Sequence, residues 1–126
     1  MVMQIALEPS IDWPGTRPEY YVYWALNRLG YEGRFEYQSS MMGGRLERGG
    51  AVLDFYVPEM NLAINIQSVY WHYGRPDQAA NDQAQRVMLE GMGIKVVYID
   101  EADVLRNPLW YVQEALNGND HSLMMR

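Results

Sequence analysis

Apolar positions recur at helical spacing in "TRPEYYVYWALNRLG", where Val22, Ala25, Leu26 and Leu29 fall on one side of a helix. Thr16 stands at the N-cap, Pro18 suits the first turn, and Glu19 three residues after the cap completes a capping box. Gly30 is a natural stop. The pattern then changes period. "GRFEYQSS" alternates and predicts a strand near 34–39, and "SSMMGGRLERGG" reads as a glycine-rich flexible loop. "AVLDFYVP" and "NLAINIQ" predict two short strands joined by a turn at "PEMN", so the three strands form a meander.

Helical spacing returns in "RPDQAANDQAQRVMLEGMG", with Asp77 as cap and Ala80, Ala84, Val87 and Met88 as the apolar face before Gly91 and Gly93. "IKVVYID" is almost wholly apolar, which suits a strand covered on both faces. "EADVL" predicts a brief helical turn, and "NPLWYVQEALNG" a last helix with Asn107 as cap, Pro108 at its first position and Gly118 as stop. The tail "NDHSLMMR" reads as frayed. The expected fold is α/β, a mixed sheet in the order αβββαβα with helices on both faces. One domain is expected over 16–118, with an N-terminal extension at 1–15 and a C-terminal tail at 119–126.

Composition narrows the function classes. A chain of 126 residues has room for one core. It lacks a run of about eighteen apolar residues, so no membrane span is expected. "MVMQIALEPS" carries no basic region and contains Glu8, which does not read as a secretory signal. A cytoplasmic location is expected, and a virion component would look the same. The lack of cysteine removes disulfides, thiolate nucleophiles and cysteine-based zinc sites together. A net charge of −6 argues against a general nucleic-acid binder. Yet the positive charge is nine arginines and only one lysine, Lys95, and arginine is the better bidentate phosphate ligand. Arg34, Arg45, Arg48 and Arg75 flank the candidate site in sequence, either as a local basic rim or as scattered surface charge.

The positions that carry candidate chemistry lie around the second and third strands. Alternation sets Leu53 and Phe55 on one face of "AVLDFYVP" and Val52, Asp54 and Tyr56 on the other. A lone acid there must face solvent, pair or bind a cation, because burying it unpaired is costly. In "INIQSVYWHY", Asn65 and Gln67 share a face opposite Ile64 and Ile66, before Trp71 and His72. Each position also has a plainer reading. Glu19 is explained by its cap, the two amides by a solvated strand face, His72 by packing between Trp71 and Tyr73, and Arg45 and Arg48 by a flexible loop. No Walker lysine-serine follows the glycine pairs and no GxGxxG opens a helix, so no phosphate-binding loop of either kind is present.

Taken in order, "TRPEYYVYWALNRLGY", "GGAVLDFYVP", "LAINIQSVYWHY" and "GIKVVYIDEADVL" resemble the PD-(D/E)XK nuclease superfamily across residues 16–117. The closer likeness is to its very-short-patch-repair-like branch and to small endonuclease-domain proteins of phages and bacterial genomes. The resemblance implies that Asp54 binds Mg²⁺ (or Mn²⁺), with the backbone carbonyl of Ile66 as a second ligand. It implies that Glu19 assists from the first helix, that Gln67 stands where a polar catalytic group is usual, and that His72 of the Trp71-His72 pair serves near the metal. Asn65 and Trp71 would line the site, and Arg45, Arg48 and Arg75 would meet DNA.

Two departures from that pattern bear on activity. Asn65 is neutral where an acid is usual, which weakens Mg²⁺ binding, and Gln67 can orient a water but cannot take a proton. One carboxylate can still suffice, since Mg²⁺ keeps several waters, and His72 is of the residue type whose unperturbed pKa lies near neutrality, which suits a general base. The expectation is a Mg²⁺-dependent DNA endonuclease with a degenerate site, working as a homo-oligomer or in a larger complex. The alternative is an inactive nuclease-fold module used for binding or assembly, such as a phage virion component.

Overall fold

The computed structural model describes residue 9 and residues 13–41, 51–67 and 76–122. The chain is a mixed α/β protein. Helix α1 (Arg17–Leu26) opens with the expected capping box: Thr16 Oγ1 accepts from the Glu19 N–H at 3.3 Å, and Glu19 Oε1 accepts from the Thr16 N–H at 2.8 Å. The helix then widens into a π-type turn at Asn27–Tyr31, where Gly30 takes φ 94°. That left-handed backbone is what glycine permits and other residues resist.

Four strands follow in spatial order β1 (Glu36–Met41), β2 (Ala51–Val57), β3 (Leu62–Gln67) and β4 (Lys95–Asp100). The first three pair antiparallel, as the expected meander, and β4 lies parallel to β3. The β2–β3 turn is a 3₁₀ turn at Pro58–Met60, closed by Asn61 at φ 47°. Helix α2 (Pro76–Gly91) supplies the crossover that a parallel pair requires. After β4 come α3 (Glu101–Arg106) and α4 (Pro108–Leu116), the latter capped by Asn107 Oδ1 on the Trp110 N–H.

Alternate residues of β3 and β4 feed two hydrophobic clusters. Leu62, Ile64, Val97 and Ile99 join Val22 and Leu26 of α1, Phe55 and Val57 of β2, Val104 of α3, and Val112 and Leu116 of α4. Ala63, Val96 and Tyr98 join Leu53, Tyr56, Ile94 and Leu89 of α2. All five residues from Val96 to Asp100 are buried, which the near-continuous apolar run of β4 foreshadowed. Fully buried side chains such as Leu26 and Val97 each contribute about 2 kcal/mol. Among the described residues no helix is long and apolar enough to cross a membrane.

Several local expectations are corrected. Helix α2 begins at Pro76, so Asp77 lies inside its first turn rather than at the cap. Its packing face is Met88 and Leu89 with half-buried Arg86, whereas Ala84 is exposed and Val87 is 69% exposed. The reason is Arg86: its guanidinium lies 5.8 Å from the Tyr98 ring centre and 4.0 Å from Asp120, so a cation occupies a position that apolar periodicity overlooks. Leu53 does not share a cluster with Phe55 but joins Tyr56. Asn119 to Ser122 are not frayed: Asp120 Oδ2 accepts the Tyr98 N–H at 3.1 Å, and His121 lies 2.9 Å from Glu114.

At the opposite margin, Arg34 grips Glu59 through Nε and Nη2, each at 2.7 Å, and gives Nη1 to the Gly30 carbonyl. The bidentate pair joins the end of α1 to the β2–β3 turn. The hydrogen bond from Arg34 holds the Glu59 carboxyl below its usual range, and the Glu59 carboxylate raises the pKa of Arg34 in turn.

Candidate functional site

The sheet is interrupted at Asp54. Pairing of β2 with β3 runs from Val57↔Leu62 to Phe55↔Ile64, and the next pair in that register would be Asp54 with Asn65. Side chains take over there. Asn65 Oδ1 accepts the Asp54 N–H at 3.0 Å, and Asp54 Oδ2 accepts the Ile66 N–H at 2.8 Å. Two ladder bonds are thus replaced by an amide oxygen and a carboxylate, which fixes the half-buried Asp54 at the margin between the strands.

The other edge of β2 is disturbed at the same level. Pairing with β1 steps from Tyr37↔Phe55 to Ser39↔Leu53 and skips Gln38, whose φ is 54°. A left-handed non-glycine residue inside a strand stores about 1–3 kcal/mol of strain. The turn of the backbone brings the Gln38 amide to Glu19, Nε2 donating to Oε2 at 3.4 Å. Across this level Leu53 packs with Tyr56 rather than with Phe55.

Glu19 is buried at 8% exposure, and its two oxygens serve different partners. Oε1 accepts from the Thr16 N–H and from Thr16 Oγ1 at 2.9 Å, whereas Oε2 faces Gln38. Capping and proximity to the Asp54 level are therefore two halves of one carboxylate. Gly15 closes this corner: a Cβ there would overlap the Tyr37 hydroxyl and lie 2.8 Å from Glu19 Oε1. Only a residue without a side chain fits that close approach.

Further along β3, Gln67 is buried and pairs with Asp100 of β4 in the parallel register. Asp100 is also buried, and Ser122 Oγ donates to its Oδ1 at 2.6 Å. Asp100 precedes α3 without capping it. The sequence reading missed Asp100, Ser122 and Gln38. Asp100 carried a usable signal, since an acid ending a buried parallel strand stands where α/β sheets present their binding groups. Gln38 carried none, because nothing in "EYQSS" announces a positive φ.

Among the expected site residues, Asp54, Asn65 and Ile66 meet at the interruption, Glu19 is bonded to Gln38, which lies opposite Asp54 in the β1–β2 register, and Gln67 stands beyond them toward Asp100. Trp71, His72, Arg45, Arg48 and Arg75 lie outside the described residues. The N–H and C=O of a strand residue point to the same edge, so the Ile66 carbonyl faces β2, as does the N–H bonded to Asp54. A carboxylate and a carbonyl are hard oxygen donors, the kind Mg²⁺ takes, and the set fits that ion in chemistry. Among the described residues there is no group of three or more His, Cys, Asp or Glu able to hold a metal. No family model matches this chain, and neither does any curated protein or solved structure.

Proposed function

We propose that this protein is a metal-dependent DNA endonuclease of the PD-(D/E)XK type with a degenerate site, built on a restriction-endonuclease-like sheet with helices on both faces. The observation that carries the reading is the interruption at Asp54. One carboxylate is anchored between two strands by the Ile66 N–H, the Ile66 carbonyl faces the same edge, and Glu19 approaches through Gln38. A bound Mg²⁺ (or Mn²⁺) would neutralise charge on the scissile phosphate and acidify a water. Asp54 and the Ile66 carbonyl would hold the ion, Glu19 would act through Gln38, and Gln67 would orient phosphate or water. His72 is the neutral-pH base that the sequence offers beyond β3. DNA is the proposed partner, with Arg45, Arg48 and Arg75 as phosphate contacts and a second copy or larger complex to grip a duplex.

The rival is an inactive module that retains the nuclease fold for binding or assembly, as in a phage virion. One observation favours it: the Asn65 amide oxygen is committed to the Asp54 N–H, a structural task where the superfamily pattern has an acid. A plasmid-nicking assay with Mg²⁺ or Mn²⁺ separates the two. Cutting by the parent that Asp54→Ala abolishes, and that Asn65→Asp increases, is the expected result. No metal-dependent cutting of any DNA form would overturn the enzyme reading and leave the module.

A further inference from the structure

Trp13, Tyr20 and Tyr23 form a ring cluster at α1, in which Tyr20 packs against the main hydrophobic cluster while Trp13 and Tyr23 lie outside both. The Trp13 ring lies 5.4 Å from Tyr20, 5.0 Å from Tyr23 and 4.9 Å from Tyr37, and Tyr20 stacks with Tyr23 at 6.3 Å. Neither Trp13 nor Tyr23 belongs to either cluster. Tyr23 is 36% exposed, and Trp13 and Tyr20 are half-buried. The Trp13 indole N–H donates to the Thr16 carbonyl at 2.9 Å, which ties that ring to the start of α1. Trp13 and Tyr23 are therefore partly exposed rings that do not fill the core.

Two arginines lie on the same helix and the turn that continues it. Arg17, Tyr20, Trp24 and Arg28 follow at three- and four-residue steps, which sets them along one side of α1 and the turn that continues it. Arg17 and Arg28 are both exposed, with their guanidinium carbons 6.0 Å from the Tyr21 ring centre and 5.6 Å from that of Trp24. The patch also borders the interrupted sheet. Trp13 touches Tyr37, the neighbour of Gln38, and Thr16, which holds the indole, also holds Glu19.

We propose that this surface is a stacking platform for single-stranded DNA. Unpaired bases offer flat faces that stack on aromatic rings whatever the sequence, and flanking arginines meet the phosphates between them. A duplex hides those faces. With a net charge of −6 the protein has little general attraction for backbone phosphate, so stacking has to supply the discrimination. The assignment deepens the nuclease reading by naming unpaired DNA as the form delivered to Asp54, and it rests on that reading only for what happens after binding.

The test uses the full chain in EDTA with a fluorescein-labelled thymidine oligomer of about twelve nucleotides and a duplex of equal length. The single strand is expected to bind more tightly and to quench tryptophan fluorescence. Tyr23→Ala and Trp13→Ala should each weaken it by about tenfold. Tyr23→Phe, which keeps the ring, should bind like the parent. Replacing Arg17 and Arg28 by Gln should flatten the logarithmic salt dependence by about 0.7 for each phosphate no longer neutralised. Circular dichroism and melting confirm that each variant is folded. Equal affinity for both DNA forms, no binding, or indifference to Tyr23→Ala would each overturn the platform. Stacking-dependent binding without metal-dependent cutting would end the nuclease reading and leave the platform, whereas cutting indifferent to Tyr23→Ala and Trp13→Ala would end the platform alone.

Discussion

At the scale of single residues, the interruption at Asp54 depends on two side chains performing backbone duties and one backbone held out of its preferred region. Asn65 and Asp54 replace ladder bonds, and Gln38 accepts a φ of 54° to reach Glu19. Strain of this kind persists only where the surroundings enforce it, which makes it measurable by a pair of substitutions. Both Gln38→Gly and Gln38→Ala remove the amide that reaches Glu19, but only glycine relaxes at positive φ. Gln38→Gly should therefore be more stable than Gln38→Ala by about 1 kcal/mol, read as a difference in urea-unfolding free energy. Equal stability would mean that β1 can relax without help and that no strain is stored there. Asp54 itself was legible in the sequence, because a lone acid in an apolar strand calls for a partner. Its partner was not: an N–H of the neighbouring strand leaves no mark in residue identity.

Among the elements, those with strong local punctuation matched expectation and those set by distant partners did not. Thr16, Pro18 and Glu19 announced α1, and the apolar run 96–99 announced a strand buried throughout. The packing face of α2 was misread because Arg86 lies against Tyr98 and Asp120, residues 12 and 34 positions away. Leu53 was assigned to the wrong side because strict alternation does not hold across the level of Asp54: Leu53 packs with Tyr56 and not with Phe55. Among the described residues, the Arg34–Glu59 pair is the contact between elements with a defined pH signature. Glu59 has a folded-state pKa below its ordinary 4.5, so its stabilising contribution is present above that value and is lost as pH falls through the lowered one. Glu59→Gln should reduce the urea midpoint at pH 6 and match the parent more closely as the pH drops below about 4. The pair lies at the surface, so the gap should be small and should shrink in about 1 M salt. A gap that persists in strong acid would assign the effect to packing rather than charge.

For the whole molecule, the decisive contact joins the last described residues to the edge of the sheet. β4 ends the strand order, and an edge strand exposes N–H groups that invite pairing with another chain. Asp120 answers this with one carboxylate: Oδ2 accepts the Tyr98 N–H, Oδ1 accepts the Ser122 N–H at 3.0 Å, and Arg86 stands 4.0 Å away. The turn so formed carries Ser122, 1% exposed, onto the buried Asp100 next to Gln67. One short segment therefore covers an edge and supplies a donor to a buried acid at the end of the sheet that holds the candidate site. Ser122→Ala removes that donor while keeping the turn, and should destabilise by about 1–3 kcal/mol. Asp120→Ala removes the turn as well as the edge bond, and should lower the melting temperature further, roughly 4 °C for each kcal/mol of destabilisation. It should also differ in kind. With the Tyr98 N–H uncovered, Asp120→Ala should associate as its concentration rises, seen by light scattering, whereas Ser122→Ala should scatter like the parent. If Asp120→Ala loses stability without associating, the segment braces the fold but does not guard the edge; if neither variant changes melting, the segment contributes to neither.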